Sequence, residues 1–172
     1  MPERIRYTWG QSALGEFIVA ASERGVVAFE FADRRETALE ALRPRLPEAF
    51  LEQDDEGLSA LAARLQALID RPDDAHDVAI DPRGDDYQKT VWSLLRQIPA
   101  GETTTYGALA ARLGTRDARD VTAAIAANAI AVLIPCHRVV KKNGGLSGYR
   151  WGAKRKRALL ERERRAACFQ LA

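Results

Sequence analysis

The chain has 172 residues, of which 47% are apolar, 29% charged and 7% aromatic, enough apolar side chain to bury a core and to exclude disorder. At this length roughly two-thirds of the unfolded surface can be buried, which predicts one domain or two small ones. No run of ~18 apolar residues exists, and Met1-Pro2-Glu3-Arg4 opens with charge and no apolar stretch after it. A soluble, cytoplasmic protein with no membrane partner is expected.

The formal charge of +2 hides an asymmetry. Residues 1–84 carry 10 Lys/Arg against 17 Asp/Glu, whereas residues 85–172 carry 16 against 7. Such a dipolar chain suggests that the second half meets a polyanion; the alternative is a basic domain that merely solvates itself. Cys136 and Cys168 are too few for a disulfide framework and point to a reducing compartment. Zinc would have to draw on those two with His76 and His137, and no Cys-x-x-Cys pair is present. Neither a metal nor another cofactor is expected.

Three β-like runs open the acidic half, Ile5 to Trp9, Glu16 to Ala21 and Val26 to Phe31, separated by Gly10 to Gly15 and by Gly25. They predict a three-stranded antiparallel meander. Amphipathic helices are predicted from Thr37 to Leu46 and from Leu58 to Ile69, then a short strand at Val78 to Ile80. Asp81-Pro82-Arg83-Gly84 is a cluster of breakers where the charge sign flips. It predicts an acidic domain over 1–84 and a basic one over 85–172.

The basic half reads as helical. Asp85 or Asp86 caps a helix whose inner face is Tyr87, Val91, Leu94, Leu95 and Ile98. Thr105 caps a second, Tyr106 to Leu113, closed by Gly114, and Asp117 caps a third, Ala118 to Asn128. Two short helices joined by a tight turn is the helix-turn-helix pattern. On the third helix Val121, Ala124, Ile125 and Asn128 share one side. The other side carries Arg119, Thr122, Ala123 and Ala126, one long cation and then little side chain, which would let the backbone approach another surface. The alternative is that the alanines are simply good helix formers.

Ile130 to Ile134 is an apolar run that stops at Pro135-Cys136-His137-Arg138. Pro135 disfavours helix before it, so Cys136 and His137 are expected in a turn. A thiol beside an imidazole and near Arg138 is the setting in which a thiolate becomes accessible; the alternative is an inert buried cysteine after a core strand. On a last helix from Ala153 to about Ala167, Glu163 shares the buried face with Leu159 and Leu160. A carboxylate there needs a partner. His137 is the obvious one, as an imidazole oriented by Glu163 could take a proton from Cys136 directly or through water; the alternative is an ion pair with Arg162, Arg164 or Arg165.

These residues resemble the O6-alkylguanine-DNA alkyltransferases, also called methylated-DNA-protein-cysteine methyltransferases. Ile134-Pro135-Cys136-His137-Arg138-Val139-Val140 is similar to that family's active-site signature, with further matches at Tyr106, Gly107 and Leu109, at Arg119 and Val121, and at Asn128. Leu146-Ser147-Gly148-Tyr149-Arg150-Trp151-Gly152 most resembles the alkyltransferase half of the bacterial Ada regulators, and stand-alone Ogt-type proteins are also similar. The likeness is strong from about Tyr87 to Glu163.

The resemblance implies an α/β (α+β) fold with a mainly helical, winged helix-turn-helix second domain. It implies stoichiometric, irreversible transfer of an alkyl group from O6-alkylguanine, and also O4-alkylthymine, in duplex DNA to Cys136. His137 and Glu163 would activate the thiol, and Tyr106 would bond guanine N3 and crowd the phosphate while the base rotates out. The carbonyls of Cys136 and Val139 would accept from the exocyclic amine, and a backbone N–H near Arg150 would reach the guanine oxygen. Tyr149 and Ile125 would wall the alkyl pocket, Asn128 would tie the recognition helix to the turn, and Arg119 would fill the gap left by the flipped base. Such a protein binds the minor groove with weak sequence specificity and acts as a monomer.

Asp120 stands where Ala is usual, Thr122 where a smaller residue is common, and Ala129 replaces a frequent Pro; these bear on DNA affinity. The rivals are a non-catalytic helix-turn-helix damage sensor or regulator, against which Cys136 argues, and a cysteine hydrolase, which would turn over.

Overall fold

The Gly-punctuated apolar runs at the start of the chain form β1 (Glu3–Ser12), β2 (Gly15–Ala21) and β3 (Val26–Phe31), an antiparallel meander. In this computed structural model the described residues are 1–114, 117–146 and 148–170, with the backbone alone at 169 and 170; Ser147 of the 146–152 motif lies outside them. The chain divides into two compact units, one of Met1–Asp70, Ala75–Arg83 and Ala129–Ala131, the other of Arg71–Asp74, Gly84–Asn128 and Val132–Ala172.

In the first unit the sheet has four strands, in the order β3-β2-β1-β4, and not the three that the sequence pattern predicts. β4 (Ala49–Gln53) runs parallel to β1, from Glu3 opposite Ala49 to Tyr7 opposite Gln53. Its sequence Ala-Phe-Leu-Glu-Gln is short and lacks β-branched residues, so pairing with β1 rather than local preference makes it a strand. The expected strand at Val78–Ile80 reduces to one bridge between Ile80 and Val26. α1 (Arg35–Leu42) passes into a single 3-10 turn, Arg43–Arg45, at Pro44, and α2 spans Ser59–Asp70.

β2 and β3 are buried along almost their whole length. Ile18, Ala20 and Ala28 pack with Ile5, Val27, Leu42 and Leu46 in one cluster, joined by Trp9, Ala38 and Leu39. Phe17 and Phe29 meet edge to face at 5.0 Å. A Cβ on Gly10 would lie 2.3 Å from Phe17 Cζ, so that ring requires glycine on the neighbouring strand. The edge of β3 is also covered: Phe29 N–H donates to Ala129 O at 2.8 Å and Ala131 N–H to Phe29 O at 2.8 Å.

In the second unit α3 (Asp86–Leu95) begins with a reciprocal cap, Gln88 N–H to the Asp85 carboxylate at 2.7 Å and Asp85 N–H to the Gln88 side chain at 3.0 Å. Its buried residues are Val91, Trp92 and Leu95, while Tyr87, placed inside by its spacing, is exposed. Tyr87 lies in the first turn, and the larger Trp92 takes the interior because its indole N–H reaches Ala124 O at 2.8 Å. β5 (Thr104–Thr105) pairs in parallel with β6 (Val139–Val140). α4 (Tyr106–Leu113) is capped by the Thr105 side chain and ends on Gly114 at φ 69°, a left-handed position suited to glycine. α5 (Ala118–Ala126) packs on α3 and α4, and α6 spans Ala153–Gln170. Among the described residues no helix is long and apolar enough to cross a membrane.

Asp85→Ala removes an N-cap and is expected to cost about 1 kcal/mol, lowering the melting temperature by roughly 2–4 °C. Asp86→Ala, at an exposed position of the first turn, is expected to cost less; thermal unfolding of the two variants side by side is the measurement.

Candidate active site

Pro135 interrupts the apolar run, and the next three residues close one 3-10 turn, Cys136–Arg138, before β6. Cys136 N–H donates to Ile134 O at 2.8 Å and Arg138 N–H to Pro135 O at 3.0 Å. Three residues upstream of Pro135, Val132 sits at φ 68°, a left-handed conformation that strains a β-branched side chain. The turn is nearly sealed: Cys136, His137 and Arg138 are 5%, 0% and 4% exposed.

The thiol meets the end of α5. Asn128, 1% exposed just beyond α5, donates its amide to Ile134 O at 3.0 Å and to Cys136 Sγ at 3.3 Å. One side chain therefore fixes both the approach to the turn and the sulfur. Burial pushes the Cys136 thiol up to about 11, against the Asn128 bond and the positive charge of Lys156 and Arg150. At neutral pH the resting sulfur carries its proton, so nucleophilic chemistry here needs a base.

His137 Nε2 lies 2.6 Å from Glu163 Oε1. The Glu163 carboxylate, 2% exposed, does not pair with Arg162, Arg164 or Arg165, the alternative open in the sequence; its cation is Arg138. Arg138 Nε donates to both carboxylate oxygens at 3.1 Å and one terminal nitrogen to Oε1 at 2.8 Å. The same guanidinium reaches Ile98 O at 2.6 Å and Asp74 Oδ1 at 2.9 Å. Burial pulls the Glu163 carboxyl upward, but His137 and Arg138 together hold it below the usual carboxylate range. It is an anion at neutral pH. His137 Nδ1 is buried without a hydrogen-bond partner among the described residues, so no direct bond joins it to the thiol.

The remaining site residues fall into two groups. Half-buried Tyr106 opens α4, and Lys156 Nζ lies 6.0 Å from its ring centre while donating to Val139 O at 2.5 Å. Ile125 is buried on the inner side of α5. Tyr149 is buried, its hydroxyl without a hydrogen-bond partner among the described residues and its ring edge-on to Trp151 at 5.3 Å. Arg150 lies over the Trp151 ring and donates to Asn128 O at 3.3 Å. Arg119 stands apart: its side chain is 92% exposed and paired with Asp117, the cap of its own helix, at 3.0 Å. The sequence pattern points to Asp120 as its neighbour, but hydrogen bonds run to Asp117.

Two residues that sequence reasoning did not single out belong here. Lys156 is 1% exposed and lies seven residues before Glu163, on the same face of α6; a lysine in an Arg-rich helix reads as solvated unless that register is followed. Asp74 comes from a remote segment and carries no local signal.

Residues 86–165 match the family described as 6-O-methylguanine DNA methyltransferase, DNA binding domain. Over 160 residues the chain is 41% identical to the bifunctional transcriptional activator/DNA repair enzyme Ada of Escherichia coli, spanning 92% of this chain but 45% of that protein. Thus the chain is under half the length of that relative. It is 35% identical to the inducible methylated-DNA–protein-cysteine methyltransferase of Bacillus subtilis, over 88% of this chain and 86% of that one. The solved structure of Mycobacterium tuberculosis OGT in complex with DNA superposes with a TM-score of 0.76 at 32% identity, over 95% and 94% of the two chains. With the Pro135-Cys136-His137-Arg138 turn inside the matched residues 86–165, the chain belongs to the methylated-DNA–protein-cysteine methyltransferase family.

Proposed function

We propose that this chain repairs DNA by direct reversal, moving the alkyl group of O6-alkylguanine, and of O4-alkylthymine, onto Cys136. The observation that carries the reading is a buried thiol, bonded by Asn128, on the same turn as an imidazole held by a buried carboxylate. The proton of Cys136 passes by way of a water to His137 Nδ1, and Glu163 stabilises the imidazolium. Sulfur attacks the alkyl carbon, the S–C bond forms as the C–O6 bond breaks, and the electron pair goes to O6. The guaninate takes up one proton at N1 from water, and the His137 imidazolium returns one to water, so the proton taken from Cys136 is balanced by the one gained by the base. The thioether offers no easy leaving group, so each molecule acts once.

Duplex substrate adds the cost of extrusion, because a stacked base cannot present O6 to a buried sulfur. α5 enters the minor groove through its exposed face of Thr122, Ala123 and Ala126. The Thr122 hydroxyl suits this, since it donates back to Ala118 O at 2.8 Å and projects little polarity. Arg119 leaves Asp117 and occupies the vacated stack. Tyr106 donates to guanine N3, the carbonyls of Cys136 and Val139 accept from the exocyclic amine, and a backbone N–H near Arg150 reaches O6. Tyr149 and Ile125 bound the alkyl group. The protein works in the cytoplasm, as a monomer, with weak sequence preference.

Incubation with a duplex containing O6-methylguanine, followed by peptide mass measurement, is expected to add one methylene to the Cys136 peptide. Cys136→Ala is expected to take up none while still binding duplex. An unmodified wild-type peptide with DNA bound would sink the repair reading in favour of a damage sensor.

Arg119→Ala is expected to slow repair of duplex by roughly ten- to a hundredfold, the equivalent of about 1.4–2.8 kcal/mol, and to leave the reaction with free O6-methylguanine base nearly unchanged. Equal slowing of both substrates would remove Arg119 from the flipping step. Glu163→Gln is expected to slow transfer at neutral pH and to recover as pH rises. The sign follows from the raised thiol: more alkaline solution forms thiolate without His137. Single-turnover rates across pH check it.

A further inference from the structure

The Arg138 guanidinium is shared between two carboxylates, and the second has no part in the reaction described above. Asp74 belongs to the short segment Arg71–Asp74, which the chain contributes to the second unit between two stretches of the first. Its Oδ1 accepts from an Arg138 terminal nitrogen at 2.9 Å, and its Oδ2 accepts from Ala100 N–H at 2.7 Å. Arg138 itself is 4% exposed, with the rest of its donors turned to Glu163 and Ile98 O. Arg138 is thus a permanent buried cation with one anion deep inside and one at the rim.

We infer that Asp74 is a positioning residue for alkyl transfer: by holding one N–H of Arg138, it leaves the Glu163 carboxylate charge available to His137. The physical argument is a competition for one cation. Glu163 Oε1 receives both His137 Nε2 and an Arg138 nitrogen. A carboxylate whose charge is drawn more fully to a guanidinium is a poorer partner for an imidazolium, and the imidazole beside it a weaker base. Asp74 offsets part of the guanidinium's field and shares the terminal nitrogen that donates to Glu163 Oε1, drawing that nitrogen toward the rim and away from a closer hold on Glu163.

The groups facing this cluster are Asp74 from the 71–74 segment, Cys136, His137 and Arg138 on the turn, and Lys156 and Glu163 from α6. With them are Tyr106 from α4, Lys141 just after β6, Tyr149 and Arg150 ahead of α6, and Arg155 on α6. Asp74 and Glu163 are the carboxylates among these. Because the Asp74 side chain is 50% exposed, solvent screens its charge, and the effect is expected to be modest.

The inference rests on His137 and Glu163 acting as the proton-accepting pair. Asp74→Asn keeps an oxygen for the Ala100 N–H and removes the charge. It is expected to slow single-turnover repair of an O6-methylguanine duplex by about three- to tenfold at neutral pH, to meet the wild-type rate in alkaline buffer, and to leave duplex affinity unchanged. Asp74→Glu is expected to recover most of the loss. Glu163→Gln and His137→Ala run beside them as references. If both references shift the pH profile and Asp74→Asn runs parallel to wild type, the inference about Asp74 is overturned alone. If neither reference shifts it, the pair is not the proton acceptor and both readings fall. Asp74→Ser, which also keeps an oxygen for Ala100, carries the test if Asp74→Asn does not fold.

Discussion

A carboxylate sealed from water at 2% exposure survives as an anion only when its oxygens are hydrogen-bonded and a cation offsets its charge, and Glu163 meets that condition through the Arg138 guanidinium, with His137 Nε2 at 2.6 Å from Oε1. Much of the second unit is arranged around this requirement. α6 must keep one face apolar enough to bury Leu159 and Leu160 and still deliver Glu163 to the turn. The Cys136–Arg138 turn must present two adjacent side chains to the same carboxylate, which a 3-10 turn allows and a continuing helix does not. Removing Arg138 would leave a buried carboxylate without its cation, a loss of about 3–5 kcal/mol.

The surroundings of the sulfur follow a different logic. Positive charge is gathered at the thiol from Lys156 and Arg150, yet burial wins in the resting protein and keeps the proton on sulfur. Burial also lowers the Lys156 ammonium, whose one hydrogen bond among the described residues is to Val139 O. A protonated thiol resists oxidation and adventitious alkylation, since the thiolate is the reactive species. On the proposed reading, the geometry gives a nucleophile that is silent until its proton is taken.

Local rules made the helix starts legible, because capping depends on one side chain and the next few N–H groups: Asp85, Thr105 and Asp117 each accept the expected bond. The two faces of α5 and the inward aspect of Glu163 were equally readable, as both depend only on helical period. What local rules miss is pairing across the chain. β4 is a strand because β1 lies beside it, Trp92 displaces Tyr87 because Ala124 O is within reach, and Arg119 bonds Asp117 through a bend of the side chain that spacing does not encode. Asp74 belongs to the same class, 64 positions from the arginine it holds.

The exposed bond between Arg119 and Asp117 bears on how quickly the protein can engage a duplex. An ion pair that open to solvent contributes about 0–1 kcal/mol, and letting go of it requires only rotation about side-chain bonds, a picosecond-to-nanosecond event. The arm is parked on the first turn of the helix it belongs to, with no loop to unfold and no backbone to move. On the proposed reading, a protein scanning many undamaged base pairs extends and withdraws this arm at each stop within the dwell time of an encounter. The slow step of recognition then falls to the DNA, in the opening of the base pair itself.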